Sequence, residues 1–256
     1  MILHLSFSYL SLFLLAFGLP GQECPPEDIW PCTCVRDSYT QINVYCKNAS
    51  SGEEIASALK KASWPFMPLW AFYLHGNKAV KELPEGVFGN ISFQHIHMDD
   101  TGLERIHPSA ILSSKNHLER LVVWNSPSFT EFPFHVLPVL RRLKDLLLFR
   151  CSLTSVPAVK NPSLIELTFQ FNRISRIEEH GWDTPYLRKF IISDNILTEF
   201  PHSIIKSLER LEEFHCGACH LGPTLTAGKL EFQSKYLKLV RLWENSLTRF
   251  EPEAII

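Results

Sequence analysis

Six consecutive residues, His215-Cys216-Gly217-Ala218-Cys219-His220, look like chemistry. Cys-x-x-Cys-His is the attachment signature of a c-type haem, and two thiols flanked by two imidazoles are a donor set for zinc. A second group, His75, His97, Asp99 and Asp100, offers the imidazole and carboxylate ligands that a divalent cation takes. A third, Cys24, Cys32, Cys34 and Cys46, is spaced C-x7-C-x-C-x11-C among Pro25, Pro26 and Pro31. In an oxidising compartment these four cysteines make a small disulfide-stapled unit, with three pairings open. Zinc is the poorer reading, because C-x-C spacing suits two ligands of one tetrahedral metal badly. The chain contains no G-x-S-x-G, H-E-x-x-H, P-loop or G-x-G-x-x-G, and no nucleophile–base pair stands out. No catalytic residue, cofactor-binding residue or metal ligand is therefore assigned.

The elements that carry these side chains decide what they can do. Leu supplies 35 of the 256 residues and Gly only 11, which directs attention to internal repeats. From Leu69 onward one template recurs, L-x-x-L-x-L-x-x-N-x-L, followed by an apolar residue and often Pro, as at Leu83-Pro84 and Phe200-Pro201. Copies begin at Leu69, Phe93, Leu118, Leu143, Leu164, Leu187, Leu211 and Leu237, with steps of 24, 25, 25, 21, 23, 24 and 26 residues. That is the period of the leucine-rich repeat. Each copy predicts one short strand whose fourth and sixth residues point inward. The ninth residue must satisfy buried backbone groups, which an amide does well because it both donates and accepts. Asn77, Asn172, Asn195 and Asn245 fill that position, with Thr101, Ser126, Cys151 and Cys219 as smaller substitutes. The expected fold is an α/β leucine-rich-repeat solenoid, a horseshoe with a parallel sheet on its concave face and a disulfide-stapled N-terminal cap.

The register reassigns the first two groups. Cys216 falls on the inward sixth position and Cys219 on the ninth, whereas His215 faces outward and His220 lies beyond the strand. Alternation keeps these side chains from converging on one ion, so Cys216, Cys219 and Cys151 are expected as core residues. The seven cysteines then divide into four in the cap and three in core slots. His75, His97 and Asp99 fall on the concave face and are expected to be solvated.

Residues Ile2 to Phe17 carry no charged side chain, and Leu12 to Phe17 has the length of a signal-peptide core, with Ala16, Gly18 and Gly21 as small residues near a cleavage point. The expected organisation is a signal peptide at 1–21, a Cys-rich cap and lead-in at 22–68, and about eight repeats at 69–256 with no C-terminal cap, which suggests a fragment. A secreted, extracellular protein follows, with membrane attachment only if an anchor was lost by truncation. A net charge of −2, from 25 basic and 27 acidic residues, argues against a nucleic-acid binder, which would need a basic stripe. Third, fifth and seventh residues of each strand face outward and include Tyr73, His97, Val122, Trp124, Leu147, Phe149 and Trp243. Val122, Trp124, Leu147 and Phe149 stand on adjacent strands as an apolar patch with two aromatics, where a protein partner is expected to dock.

With these residues laid out, the chain resembles the extracellular leucine-rich-repeat proteins of animals over residues 24 to 256. The cluster Cys24…Cys32-Thr33-Cys34…Cys46 is similar to their cysteine-flanked cap. That likeness implies the pairing of first with third and second with fourth, Cys24–Cys34 and Cys32–Cys46. Leu83-Pro84-Glu85-Gly86-Val87-Phe88, Phe93-Gln94-His95-Ile96 and Ile106-His107-Pro108-Ser109-Ala110 are similar to arthropod members named after the non-catalytic subunit of a luciferin monooxygenase. The resemblance implies a non-enzymatic binding or scaffold protein. It also implies two alternatives: an accessory subunit whose partner is a separate catalytic chain, or the truncated ectodomain of an adhesion molecule or receptor. Two sequons, Asn48-Ala49-Ser50 and Asn90-Ile91-Ser92, gain meaning if the chain is secreted. Glycosidase treatment of the secreted protein should then increase its electrophoretic mobility; an unchanged band would mean that both sequons are unoccupied.

Overall fold

The structure is a computed structural model and describes residues 23–65, 68–197 and 202–256. The expected signal peptide at 1–21 and the Phe200-Pro201 end of the sixth repeat lie outside the described residues. Among the described residues the main sheet has ten strands. Its strands are β1 (Cys32–Arg36), β2 (Ile42–Cys46), β3 (Leu69–His75), β4 (Phe93–Asp99) and β5 (Arg120–Trp124). They are followed by β6 (Asp145–Phe149), β7 (Glu166–Thr168), β8 (Lys189–Ile191), β9 (Glu213–His215) and β10 (Leu239–Arg241). Spatial order follows chain order, so each repeat lays its strand beside the one before. All neighbours from β2 onward are parallel. The first pair departs from a purely parallel sheet: β1 and β2 form an antiparallel hairpin. A hairpin can end a parallel stack without a crossover connection.

The register aligns equivalent residues across the sheet. Val44, Phe72, Ile96, Leu121, Leu146, Leu167, Phe190, Phe214 and Val240 form one row. All but Val240 are buried, because the fourth residue of every strand points into the coil. Sixth residues, from Leu74 and Met98 to Ile192 and Cys216, line the same interior. On the far side the chain returns through short elements that close this core. They include the helices Gly52–Lys61, Pro108–Leu112 and His202–Ser207, the 3-10 turn Phe134–Val139, and the two-residue strand pair Glu82–Leu83 with Arg105–Ile106. Helix Gly52–Lys61 starts at a reciprocal cap: Glu54 N–H donates to Ser51 Oγ at 3.2 Å, and Ser50 N–H donates to Glu54 Oε2 at 2.6 Å. Among the described residues no helix is long and apolar enough to cross a membrane.

Two disulfides staple the cap, Cys24–Cys34 and Cys32–Cys46, the pairing that the resemblance implies. A third bond corrects the sequence reading. Cys216 and Cys219 are buried but joined to each other, not separate core thiols. Sixth and ninth positions both face inward across a tight turn, which brings the two Cα atoms to 5.4 Å, within disulfide reach. Cys151 alone is free among the described residues, and burial pushes its thiol up to about 12.

The ninth-position amides close each coil. Asn195 Nδ2 donates to the carbonyls of Phe169 at 2.9 Å and Ile192 at 2.8 Å, while its Oδ1 accepts from Ile174 N–H at 2.9 Å. Asn77, Asn172 and Asn245 repeat the pattern. Between Asn77 and Asn172, two hydroxyls substitute, with Thr101 Oγ1 and Ser126 Oγ 2.7 Å apart. The eighth residue carries the geometry. Gly76, Asp100, Asn125, Arg150, Phe171, Asp194, Ala218 and Glu244 all have φ between 48° and 69°, the left-handed region. From Gly76 to Ala218, the eighth N–H donates to the seventh carbonyl of the next repeat, as in Arg150 to Gln170 at 3.1 Å and Phe171 to Ser193 at 3.2 Å.

Replacing Asn195 by Ala would take the amide partner from the buried Ile192 carbonyl and the buried Ile174 N–H, while the Phe169 carbonyl keeps Asn172 Nδ2. The expected loss is about 3 kcal/mol, from about 1 to 3 kcal/mol for each unsatisfied group with some relaxation. Urea unfolding at unchanged slope measures it; a loss below about 1 kcal/mol would remove the amide ladder as a major support.

Candidate partner-binding face

The face of the sheet opposite the core is organised by the same register. Fifth positions bring Tyr45, Tyr73, His97, Val122 and Leu147 side by side. Tyr45 and Tyr73 stack with centroids 4.7 Å apart and planes 7° apart, and Tyr73 stacks on His97 at 5.1 Å. Parallel strands about 4.8 Å apart set such rings at stacking distance without further adjustment. In the seventh row His75 Nδ1 and Asp99 Oδ2 lie 3.0 Å apart. Tyr45, Tyr73, His75, His97, Asp99 and Val122, with Lys47 and Trp124, line an open cavity of about 440 Å³. Burial, then the neighbouring charges of His95 and Arg120, hold His97 down from the usual 6.5 to about 4. His95 is lowered too, chiefly by burial. Among the described residues no three His, Cys, Asp or Glu side chains are placed to hold a metal ion.

Next to the cavity the face becomes aromatic. Trp124 and Phe149 pack at 4.4 Å, and Phe149 meets Phe171 edge-on at 5.3 Å. The Arg150 guanidinium lies 5.0 Å from the Phe171 ring centroid and 5.9 Å from that of Phe149. Trp124 is 45% exposed and Phe171 37%. Phe171 and Arg150 both occupy left-handed eighth positions, where a β-branched or bulky residue is unusual and costs about 1–2 kcal/mol. They extend the expected patch and were not among the sequence candidates. The signal was present in the bulk of the eighth residue, but a strand pattern leaves that position unassigned.

The expected patch is also narrower than alternation implies. Val122 is only 6% exposed. It is a short side chain in the fifth row between His97 and Leu147, so its larger neighbours cover it. Leu147 and Phe149 are half-buried, as are Tyr73 and His97. Thr168, Ile191 and Ser193 are buried although they face outward by alternation. Trp243 is 42% exposed but stands four strands beyond β6, roughly 19 Å away at the usual strand spacing. Its indole lies over Gly217, where an added Cβ would overlap the ring. The structure thus joins Tyr73, His97, Trp124 and Phe149 into one surface and leaves Trp243 apart. Both sequon residues, Asn48 and Asn90, are exposed.

No family model matches the chain. The Oplophorus-luciferin 2-monooxygenase non-catalytic subunit of Oplophorus gracilirostris is 27% identical over 234 residues, which cover 91% of this chain and 58% of that protein. This chain therefore spans less than two thirds of that relative's length. Among solved structures, TLR13 in its complex with ssRNA13 aligns with a TM-score of 0.41 at 18% identity, covering 80% of this chain and 38% of that one.

The depressed histidines set a pH dependence. A histidine whose folded value is lowered takes up protons more readily when unfolded, so its stabilising contribution is full above 6.5 and is lost as pH falls toward 4. Unfolding measured between these limits should show stability declining with acidification, and His97→Gln should flatten the decline. A variant that follows the wild-type slope would mean that His97 is not the group responsible.

Proposed function

We propose that this chain is a secreted, non-enzymatic leucine-rich-repeat protein that holds a protein partner on the concave face of a horseshoe. Its cap would correspond to residues 22–68 and its repeats to 69–256. The observation that carries this reading is the Trp124–Phe149–Phe171 cluster, exposed at Trp124 and Phe171, with Arg150 over it and the Tyr45–Tyr73–His97 cavity beside it. Rigid aromatic side chains and arginine supply most of the energy at protein interfaces, because they bury much area at small entropic cost. Three disulfides among the described residues fit an oxidising, extracellular setting.

A second reading makes the partner a separate catalytic chain. It rests on the relative whose name describes a non-catalytic monooxygenase subunit. In that case the repeats would contribute no active-site residue and would stabilise or position the enzyme. Co-purification of a luciferase-like activity with the native protein would favour this version; its absence from a stable complex would favour the general scaffold.

The test is affinity capture from the native secretion, with wild type beside the double variant Trp124→Ala, Phe149→Ala. Truncating each anchor should cost about 2 kcal/mol or more of binding. Wild type should retain a defined chain that the double variant loses at an unchanged thermal midpoint. Equal capture by both would sink the assignment of this patch.

A further inference from the structure

The rim formed by the starts of the strands, at the other end from the aromatic cluster, carries cations. A cavity of about 360 Å³ there is lined by Arg141, Arg142, Lys144, Arg188, Tyr186 and Ile165 among others. Arg142 and Lys144 share one carboxylate, Glu119, at 2.9 and 2.6 Å. Arg188 and Lys238 likewise share Glu212. Each carboxylate neutralises one of two cations, which leaves a positive excess at both pairs. Arg141 has no anionic partner among the described residues. Arg210 places its guanidinium 4.7 Å from the Tyr186 ring centroid, on the cavity's wall. A chain with a net charge of −2 has thus gathered a local positive surface.

We propose that this rim binds a sulfated polysaccharide. Three features select that ligand. The lining offers guanidinium and ammonium groups around an apolar floor of Pro162, Ile165 and Tyr186, which suits a sugar ring bearing anionic substituents. Lys144, Arg188 and Lys238 are equivalent second positions of the fourth, sixth and eighth repeats. At the usual strand spacing they recur roughly every 10 Å along the stack, with Ile165 and Glu212 at the intervening second positions, so the positive excess concentrates at Arg141, Arg142, Lys144 and Arg188, where an anionic sugar chain would lie. Backbone groups on the rim are already used: Lys144 N–H donates to Glu119 O, Ile165 N–H to Lys144 O and Arg188 N–H to Ile165 O. The strands beside this rim are paired on both sides, so a peptide finds no open strand edge to extend, whereas a glycan needs none.

The test measures binding of the whole secreted protein to a heparin-derived hexasaccharide across a salt series. Wild type should bind, with affinity falling as salt rises. The triple variant Arg141→Ala, Arg188→Ala, Arg210→Ala should lose on the order of tenfold to a hundredfold, and its slope of log affinity against log salt should drop by about two to three. A charge-matched control, Lys78→Ala, Lys81→Ala, Arg176→Ala, should bind as wild type does. Equal weakening in both triple variants would overturn the site, since net charge alone would then explain retention. Equal binding of desulfated hexasaccharide or of polyglutamate would overturn the ligand class. All three arginines are exposed, so an unchanged melting curve should accompany the loss. The Trp124→Ala, Phe149→Ala protein should keep full hexasaccharide affinity, which separates this site from the partner-binding face.

Discussion

Everything in this molecule depends on how the chain leaves each strand. An extended strand would continue past the sheet and leave the next segment unable to cover its own core. The left-handed eighth residue bends the chain inward while its N–H still reaches the seventh carbonyl of the following repeat. The ninth side chain then enters the interior and satisfies the carbonyls that the bend exposes. Seven of the eight left-handed residues are not glycine, so the stack accepts a cost of about 1–2 kcal/mol at each. The inter-repeat hydrogen bonds and the buried fourth and sixth rows offset that cost, which no isolated coil could do.

Because the turn is the same in every coil, the register never drifts. Side chains of one position form rows at strand spacing, and the rows determine the surface chemistry. The Tyr45–Tyr73–His97 stack and the Arg120–Asp145 and Lys189–Glu166 pairs are all products of this alignment. Substitution at one position of one repeat therefore edits the surface without altering the scaffold. The cysteine pair is an instance in the interior: positions six and nine both point inward, and two cysteines placed there close a disulfide in a coil that otherwise keeps its neighbours' shape.

Most of the fold was legible because a buried position in a repeat admits few residue types. The fourth and sixth rows and the ninth-position amides announce themselves in Leu, Phe, Ile and Asn at fixed spacing. The antiparallel β1 was not legible, since it belongs to the cap and not to the repeat. Nor was the Cys216–Cys219 bond, because a period gives the direction of a side chain and not its distance from another. For the surface, alternation predicted which residues face outward but not which remain uncovered. Val122 faces outward and is buried by taller neighbours, whereas Phe171, in a position the strand pattern ignores, stands exposed.

The two surfaces proposed here sit on overlapping repeats but at opposite ends of the strands. Trp124 and Phe149 end their strands and Phe171 follows its own, whereas Arg142, Lys144 and Arg188 precede theirs. A five-residue strand is roughly 17 Å long. A partner seated on the aromatic cluster would therefore leave the cationic rim open to a polyanion on the same repeats. Neither surface needs the other to form, since each derives its geometry from the register alone. Two independent weak attachments at a fixed separation raise the effective concentration of one ligand near the other. With both ligands bound, a rigid stack of coils would turn side chains that face different directions into a single bridging device.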